Sequence, residues 1–246
     1  MSLNLGPLDD CVDAAVRQFW ASRVDAAQRQ RESGTADQGE RAGVTAGKNL
    51  DGFISLFAEL AKANGLEDLD VFTSHSLVTL PGYFRATKNW DLVVLSHGRL
   101  VAAIELKSQV GPSFGNNFNN RAEEAIGAAH DFWTAFREGA FGSVQRPFLG
   151  WLILVEDCQE SRRPGHRLVT PHFDVFPEFR NASYLDRYDV LCHKLMLENL
   201  YTHAALVTSR RPGDHTGGDD EQIGQSRLRR FAAAFAAHIA AVAAVG

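Results

Sequence analysis

The stretch WDLVVLSHGRLVAAIELKSQ, residues 90–109, holds two apolar runs around a polar turn, with Glu105 and Lys107 set inside the second run. Both runs have strand composition, and His97-Gly98 between them marks a hairpin. Side chains alternate along a strand. Leu100, Ala102, Ile104 and Leu106 are therefore expected on one face, and Val101, Ala103, Glu105 and Lys107 on the other. A lone charge in a buried strand is costly, so Glu105 and Lys107 must meet solvent, each other, or a metal and substrate.

Asp91 stands at the mouth of the first run, and the hairpin register decides whether it joins them. A two- or four-residue connection centred on His97-Gly98 pairs Asp91 with Ile104, on the wrong face. A three-residue loop, His97-Gly98-Arg99, pairs it with Glu105. An odd loop or a β-bulge is therefore expected. With that register two carboxylates converge, and an ammonium group lies one strand step away. Such a set suits Mg²⁺ beside a phosphate: the metal polarises the phosphate and lowers the pKa of a bound water. Lys107 would hold or help deprotonate that water and offset the developing charge. The competing reading is a salt bridge at a sheet edge, because an acid, an acid and a lysine at this spacing recur by chance. Context favours the first reading. The acids sit at a strand start and inside an apolar strand, and Lys107 alone among the lysines has an acid two positions before it.

Composition sets the frame. The chain has 246 residues, 45% hydrophobic, enough for one large α/β domain with a real core. Its net charge of −5 excludes a nucleic-acid coat that works by blanket positive charge. A local basic cleft remains open, and it would need Arg41, Lys48, Arg85, Lys88, Lys107 and Arg121 to gather. Cys11, Cys158 and Cys192 are too few and too far apart for a disulfide framework or a zinc site and are expected reduced and buried. No apolar run reaching the roughly 20 residues of a membrane span is expected, and the N-terminus lacks the pattern of a secretory signal, so a cytoplasmic protein is the default.

Helical periodicity predicts helices over 7–30, 48–63, 121–138, 182–200 and 225–245. Strands are expected over Val71–Leu80, Leu92–Leu95, Leu100–Ser108 and Phe148–Val155; the last is apolar throughout, as in a central strand buried on both faces. The polar segments 32–47 and 213–224 read as loops. The order helix, three-strand meander, helix, strand describes a single domain over residues 1–246 with its core at about 48–158 and helical additions at 7–31 and 182–245.

GPSFGNNFNNR, residues 111–121, reads as a loop between the acid-bearing strand and the next helix. Asn116, Asn117, Asn119, Asn120 and Arg121 there have side chains suited to base edges, Asn to adenine and Arg to guanine, while the helix N-terminus suits a phosphate. The plainer alternative is that these are turn formers, with Asn120 capping the helix. GPSFG also matches the nucleophile elbow of acyl hydrolases. An elbow needs a helix directly after its serine, and NNFNN is expected to intervene. A phosphate-binding P-loop fails at AGKN, which lacks the earlier glycine and the Ser/Thr after Lys48.

The D-x13-E-x-K pattern and element order resemble the PD-(D/E)xK nuclease superfamily, with Trp90 in place of the proline. GERAGV, NLDGF, LPGYFR, WDLVV, VAAIELKS, VGPSFGNNFNNRAEEAIG, GWLILVEDC and ASYLDRYDVLCHKL resemble the XhoI-type type II restriction endonucleases over roughly Gly39 to Leu195. The resemblance implies a Mg²⁺-dependent endonuclease in which Asp91, Glu105 and the Leu106 carbonyl bind the metal and Lys107 serves the attacking water. It implies a homodimer that cuts both strands of duplex DNA at the palindrome CTCGAG, in a prokaryotic cell that carries a companion DNA methyltransferase. Glu40, Asp51 and Glu59 are candidates for a third acid. A repair or resolvase nuclease of the same superfamily, or a DNA-binding module whose acids are structural, are the alternatives.

Overall fold

The computed structural model describes residues 3–32, 49–65, 69–142, 145–165, 170–213 and 221–245. Helices α1 (Leu8–Glu32) and α2 (Asp51–Asn64) precede β1 (Leu69–Phe72). A small hairpin follows, β2 (Thr79–Pro81) and β3 (Thr87–Asn89), and then β4 (Leu92–Ser96) and β5 (Arg99–Gln109). Helix α3 (Phe114–Arg137), β6 (Phe148–Glu156), the short α4 (Gln159–Arg162), α5 (Tyr184–Leu197), β7 (His203–Ser209) and α6 (Glu221–Val245) complete the order.

Five strands form one mixed sheet in the order β1-β4-β5-β6-β7, while β2 and β3 pair only with each other. β1, β4 and β5 run antiparallel as the expected meander; β5, β6 and β7 run parallel. Parallel strands need both faces covered, and they have both. Phe19, Phe57, Phe231 and Phe235 belong to a core cluster on one face, supplied by α1, α2 and α6. Phe132, Trp151, Tyr188 and Leu195 belong to the cluster on the other, supplied by α3 and α5. All nine residues of β6 are buried, as the apolar run implies.

The hairpin between β4 and β5 meets the register expectation through a bulge. His97 and Gly98 form a two-residue turn with φ of 49° and 73°, closing on the pair Ser96 and Arg99. The register then shifts: Leu95 faces Leu100, but Val94 faces Ala102. Val101 is the extra residue. Beyond it Leu92 faces Ile104, and the Asp91 N–H donates to the Ile104 carbonyl at 3.0 Å. The bulge also corrects the simple alternation near the turn. Val101 joins Ala102 and Ile104 in one core cluster, and Leu100 joins Ala103 in the other.

Several expectations change. Val71–Leu80 is not one strand: β1 ends at Phe72, a 3₁₀ turn spans His75–Val78, and β2 leaves the sheet. β7 was not expected, so the stretch 182–245 supplies a fifth strand as well as helices. GPSFGNNFNNR is not a loop. Helix α3 begins at Phe114, so Asn120 does not cap it, and the four asparagines and Arg121 lie within its first turns. The apolar stripe reaches back at helical spacing to Phe118, packed edge-on against Tyr188, and Phe114, stacked on Tyr184. Those contacts outweigh the weak helix propensity of glycine and asparagine. The stated objection to an elbow at Ser113 therefore fails. Ser113 does enter a helix, at φ 75°; against an elbow stands that no histidine among the described residues bonds its hydroxyl.

Ser226–Val245 in α6 is long and apolar enough to match a membrane span, contrary to the expectation of none. Its apolar face is used by the core: Leu228, Phe231, Phe235 and Ile239 are fully buried. The cysteines are unpaired as expected, but only Cys192 is buried, with Cys158 intermediate and Cys11 exposed.

Candidate active site

Asp91 and Glu105 come together because the bulge turns Glu105 toward the strand mouth. The Leu106 N–H donates to Asp91 Oδ2 at 2.7 Å, which locks the first acid onto the backbone that carries the second. Glu105 is 3% exposed. Its Oε1 holds two ammonium groups, Lys107 Nζ at 2.7 Å and Lys88 Nζ at 2.8 Å. Its Oε2 is buried and has no hydrogen-bond partner among the described residues.

Burial pushes the Asp91 pKa up, and the Leu106 N–H and the Lys107 charge only partly offset this. Burial also pushes Glu105 up, but Lys107 and then Lys88 overcome it, so that carboxyl ends below its ordinary value. Two acids in one site are thus held differently. Glu105 is the more readily ionised of the two, and Asp91 the less.

Lys88 is a residue that motif reading did not place here. It reaches Glu105 from the separate hairpin β2–β3, with its ammonium 4.8 Å from the centre of the Trp90 ring. Trp90, the proline replacement, is buried, packs edge-on against Phe132 and donates its backbone N–H to Val78. It is the platform that aims Lys88. The only advance signal was the basic pair Arg85 and Lys88 just before the motif.

Of the other basic candidates, Arg85 pairs with Asp131 at 2.8 Å and Arg121 with Glu124 at 2.6 Å. Arg41 and Lys48 lie outside the described residues, as does Glu40. Glu59 is a surface acid within 3.9 Å of Lys62, and Asp51 opens α2. Among the described residues no group of three or more His, Cys, Asp or Glu side chains could hold a metal.

A two-carboxylate site still fits Mg²⁺. That ion keeps several waters and takes one or two carboxylates together with substrate phosphate oxygens. The unpartnered Glu105 Oε2 is the observation that fits it, since a buried anionic oxygen without a donor calls for a cation. Asn116, Asn119 and Asn120 are exposed on the opening turns of α3, while Asn117 and Arg121 are half-buried.

The family model for restriction endonuclease XhoI matches residues 29–220. The chain is 53% identical over 199 residues to the type II restriction enzyme XhoI of Xanthomonas vasicola, covering 80% of this chain and 79% of that one. It is 46% identical over 220 residues to BstVI of Geobacillus stearothermophilus, covering 87% and 97%. It is 55% identical over 173 residues to AbrI of Azospirillum brasilense, covering 70% and 77%. Both are also named type II restriction enzymes. No solved structure matches. On these likenesses the chain belongs to the XhoI family of type II restriction endonucleases.

Proposed function

We propose that this endonuclease cuts both strands of duplex DNA at CTCGAG, after the first C, leaving 5′ overhangs with 5′-phosphate and 3′-hydroxyl ends. The core is of the PD-(D/E)xK type, with Asp91, Glu105 and Lys107 as the catalytic group. Asp91, Glu105 and the Leu106 carbonyl hold Mg²⁺. When bound, the metal supplies Lewis acidity toward the scissile phosphate and a water of lowered pKa. Lys107 holds that water and neutralises charge as it develops. Lys88 keeps Glu105 ionised and oriented.

Glu105 carries this reading: buried, held ionised by two lysines on one oxygen, and without a partner among the described residues on the other. A saturated ion pair would leave no such oxygen. The target sequence rests on the likeness to the XhoI family. Asn116, Asn117, Asn119, Asn120 and Arg121 are assigned to DNA contact. An α-helix fits the major groove and can present asparagine there, so their helical setting suits them better than a loop would. A palindrome cut symmetrically calls for a homodimer with one site per strand. The enzyme acts in the prokaryotic cytoplasm, beside a methyltransferase that protects host DNA.

Digestion of a plasmid bearing one CTCGAG, with Mg²⁺, tests this. One linear product whose sequenced ends carry 5′ overhangs at that site is expected. Cuts at another site would overturn the target assignment, and structure-dependent nicks would favour a resolvase.

A further inference from the structure

The tip of the β2–β3 hairpin displays two aromatic side chains that serve neither core cluster. Tyr83 is 54% exposed and Phe84 66%. Their rings meet edge-on at 4.9 Å, and Phe84 also stacks on His130 at 5.5 Å with 17° between planes. Single exposed aromatics are ordinary, but this pair is held by a purpose-built anchor. Asp131 of α3 is 2% exposed. Its Oδ1 accepts the Tyr83 N–H at 2.8 Å and the Phe84 N–H at 2.7 Å, and its Oδ2 meets Arg85 Nε at 2.8 Å. A carboxylate is buried at a cost unless it is satisfied, and here each of these partners belongs to the tip. Gly82 completes the fit. A Cβ there would come within 2.7 Å of Asp131 Oδ2 and of the Arg85 carbonyl.

The same hairpin delivers Lys88 to Glu105. Phe84 precedes Lys88 by four residues in the chain, so it lies within about 14 Å of it. A strand in the catalytic site therefore passes the tip within a few base pairs of the scissile phosphate.

We infer that Tyr83 and Phe84 form a wedge that stacks against, or inserts between, the bases of the substrate duplex beside the scissile phosphate. Anchored apolar side chains do this by partly unstacking a base step, and aromatic faces accept any base. Asp131 is the positioning residue that sets the wedge. The inference rests on the reading of Asp91, Glu105 and Lys107 as the cleavage centre.

The test combines Tyr83→Ala and Phe84→Ala, with Tyr83→Phe and Phe84→Trp as the aromatic-retaining pair. Each is made in the parent and in a Glu105→Ala background that permits binding without cutting. The probes are CTCGAG duplexes carrying 2-aminopurine in turn at each position of the site and its flanks. The parent tip is expected to raise 2-aminopurine fluorescence at one step. The alanine pair should abolish that rise and weaken binding about tenfold or more, with an unchanged melting temperature, and the aromatic pair should keep both. No rise at any position, or an alanine pair that binds and unstacks like the parent, overturns the wedge while parental cleavage leaves the endonuclease reading intact. An alanine pair that changes the protein's mass in solution without DNA also overturns it, by assigning the tip to contact between two copies. A parent that neither binds nor cuts the duplex removes both readings.

Discussion

Two sets of buried acids belong to neighbouring strands of the sheet, and they are finished differently. At the end of β6, Glu156 accepts the Gly111 N–H at 2.9 Å and pairs with Arg211, while Asp157 pairs with Arg162 and with Arg210, the latter at 3.2 Å. Each carboxylate oxygen there has a donor. On β5, Glu105 crowds two lysines onto one oxygen, and the other has no partner among the described residues. Both sets are nearly inaccessible to solvent, so burial does not separate them. Saturation does. A closed set of charges fixes where the chain goes; an open one waits for a ligand.

That contrast can be broken or sharpened by substitution. The largest effect belongs to the open set: Glu105→Ala should lower cleavage about a thousandfold or more while leaving DNA binding nearly unchanged. Retained cleavage on a plasmid digest would end its catalytic assignment. The closed set should respond in the opposite currency. Asp157→Asn is expected to lower stability by about 2 kcal/mol in urea denaturation, with the folded enzyme cutting at its normal rate. Lys88→Ala comes next. Cleavage should drop about tenfold, with a shift in the Mg²⁺ concentration giving half-maximal rate, because Glu105 keeps only one lysine to hold it ionised and in place.

The smallest effect is one of sign. Asp91 has a raised pKa, so its charged form is disfavoured in the fold, and the cost is present at neutral pH and relieved as pH falls toward the raised value. Asp91→Asn should therefore raise the melting temperature of the metal-free protein at pH 7 by a margin worth no more than about 1 kcal/mol. That gain should shrink as pH falls toward the carboxylate range. A loss of stability at pH 7 would place Asp91 with the structural acids.

The central motif was legible because its signal is local: alternation, a polar turn and charges out of place within twenty residues. Register could be posed as a question from sequence and answered only by the bulge at Val101, which no residue type announces. Lys88 was legible only as one of six basic residues that a DNA cleft would need, and not as a partner of Glu105. It arrives from β3, a strand of three residues with no alternating pattern, and its aim depends on packing against Trp90. β7 was missed since its buried residues Ala204–Val207 make a short unalternating run between polar ends. The early start of α3 was hidden by composition. Gly115, Asn116 and Asn117 read as a turn until Phe114 and Phe118 are seen against Tyr184 and Tyr188.

The extra residue at Val101, whose carbonyl lies 3.1 Å from His238 Nε2 of α6, has a genetic corollary. The bulge absorbs one surplus residue, so an in-frame loss of the Val101 codon would leave a regular ladder in which Asp91 still faces Glu105. Loss of two codons, Leu100 and Val101, would bring Asp91 opposite Leu106 instead and turn Glu105 to the other face, silencing the enzyme while sparing most of its core. Selection here counts codons before it reads them.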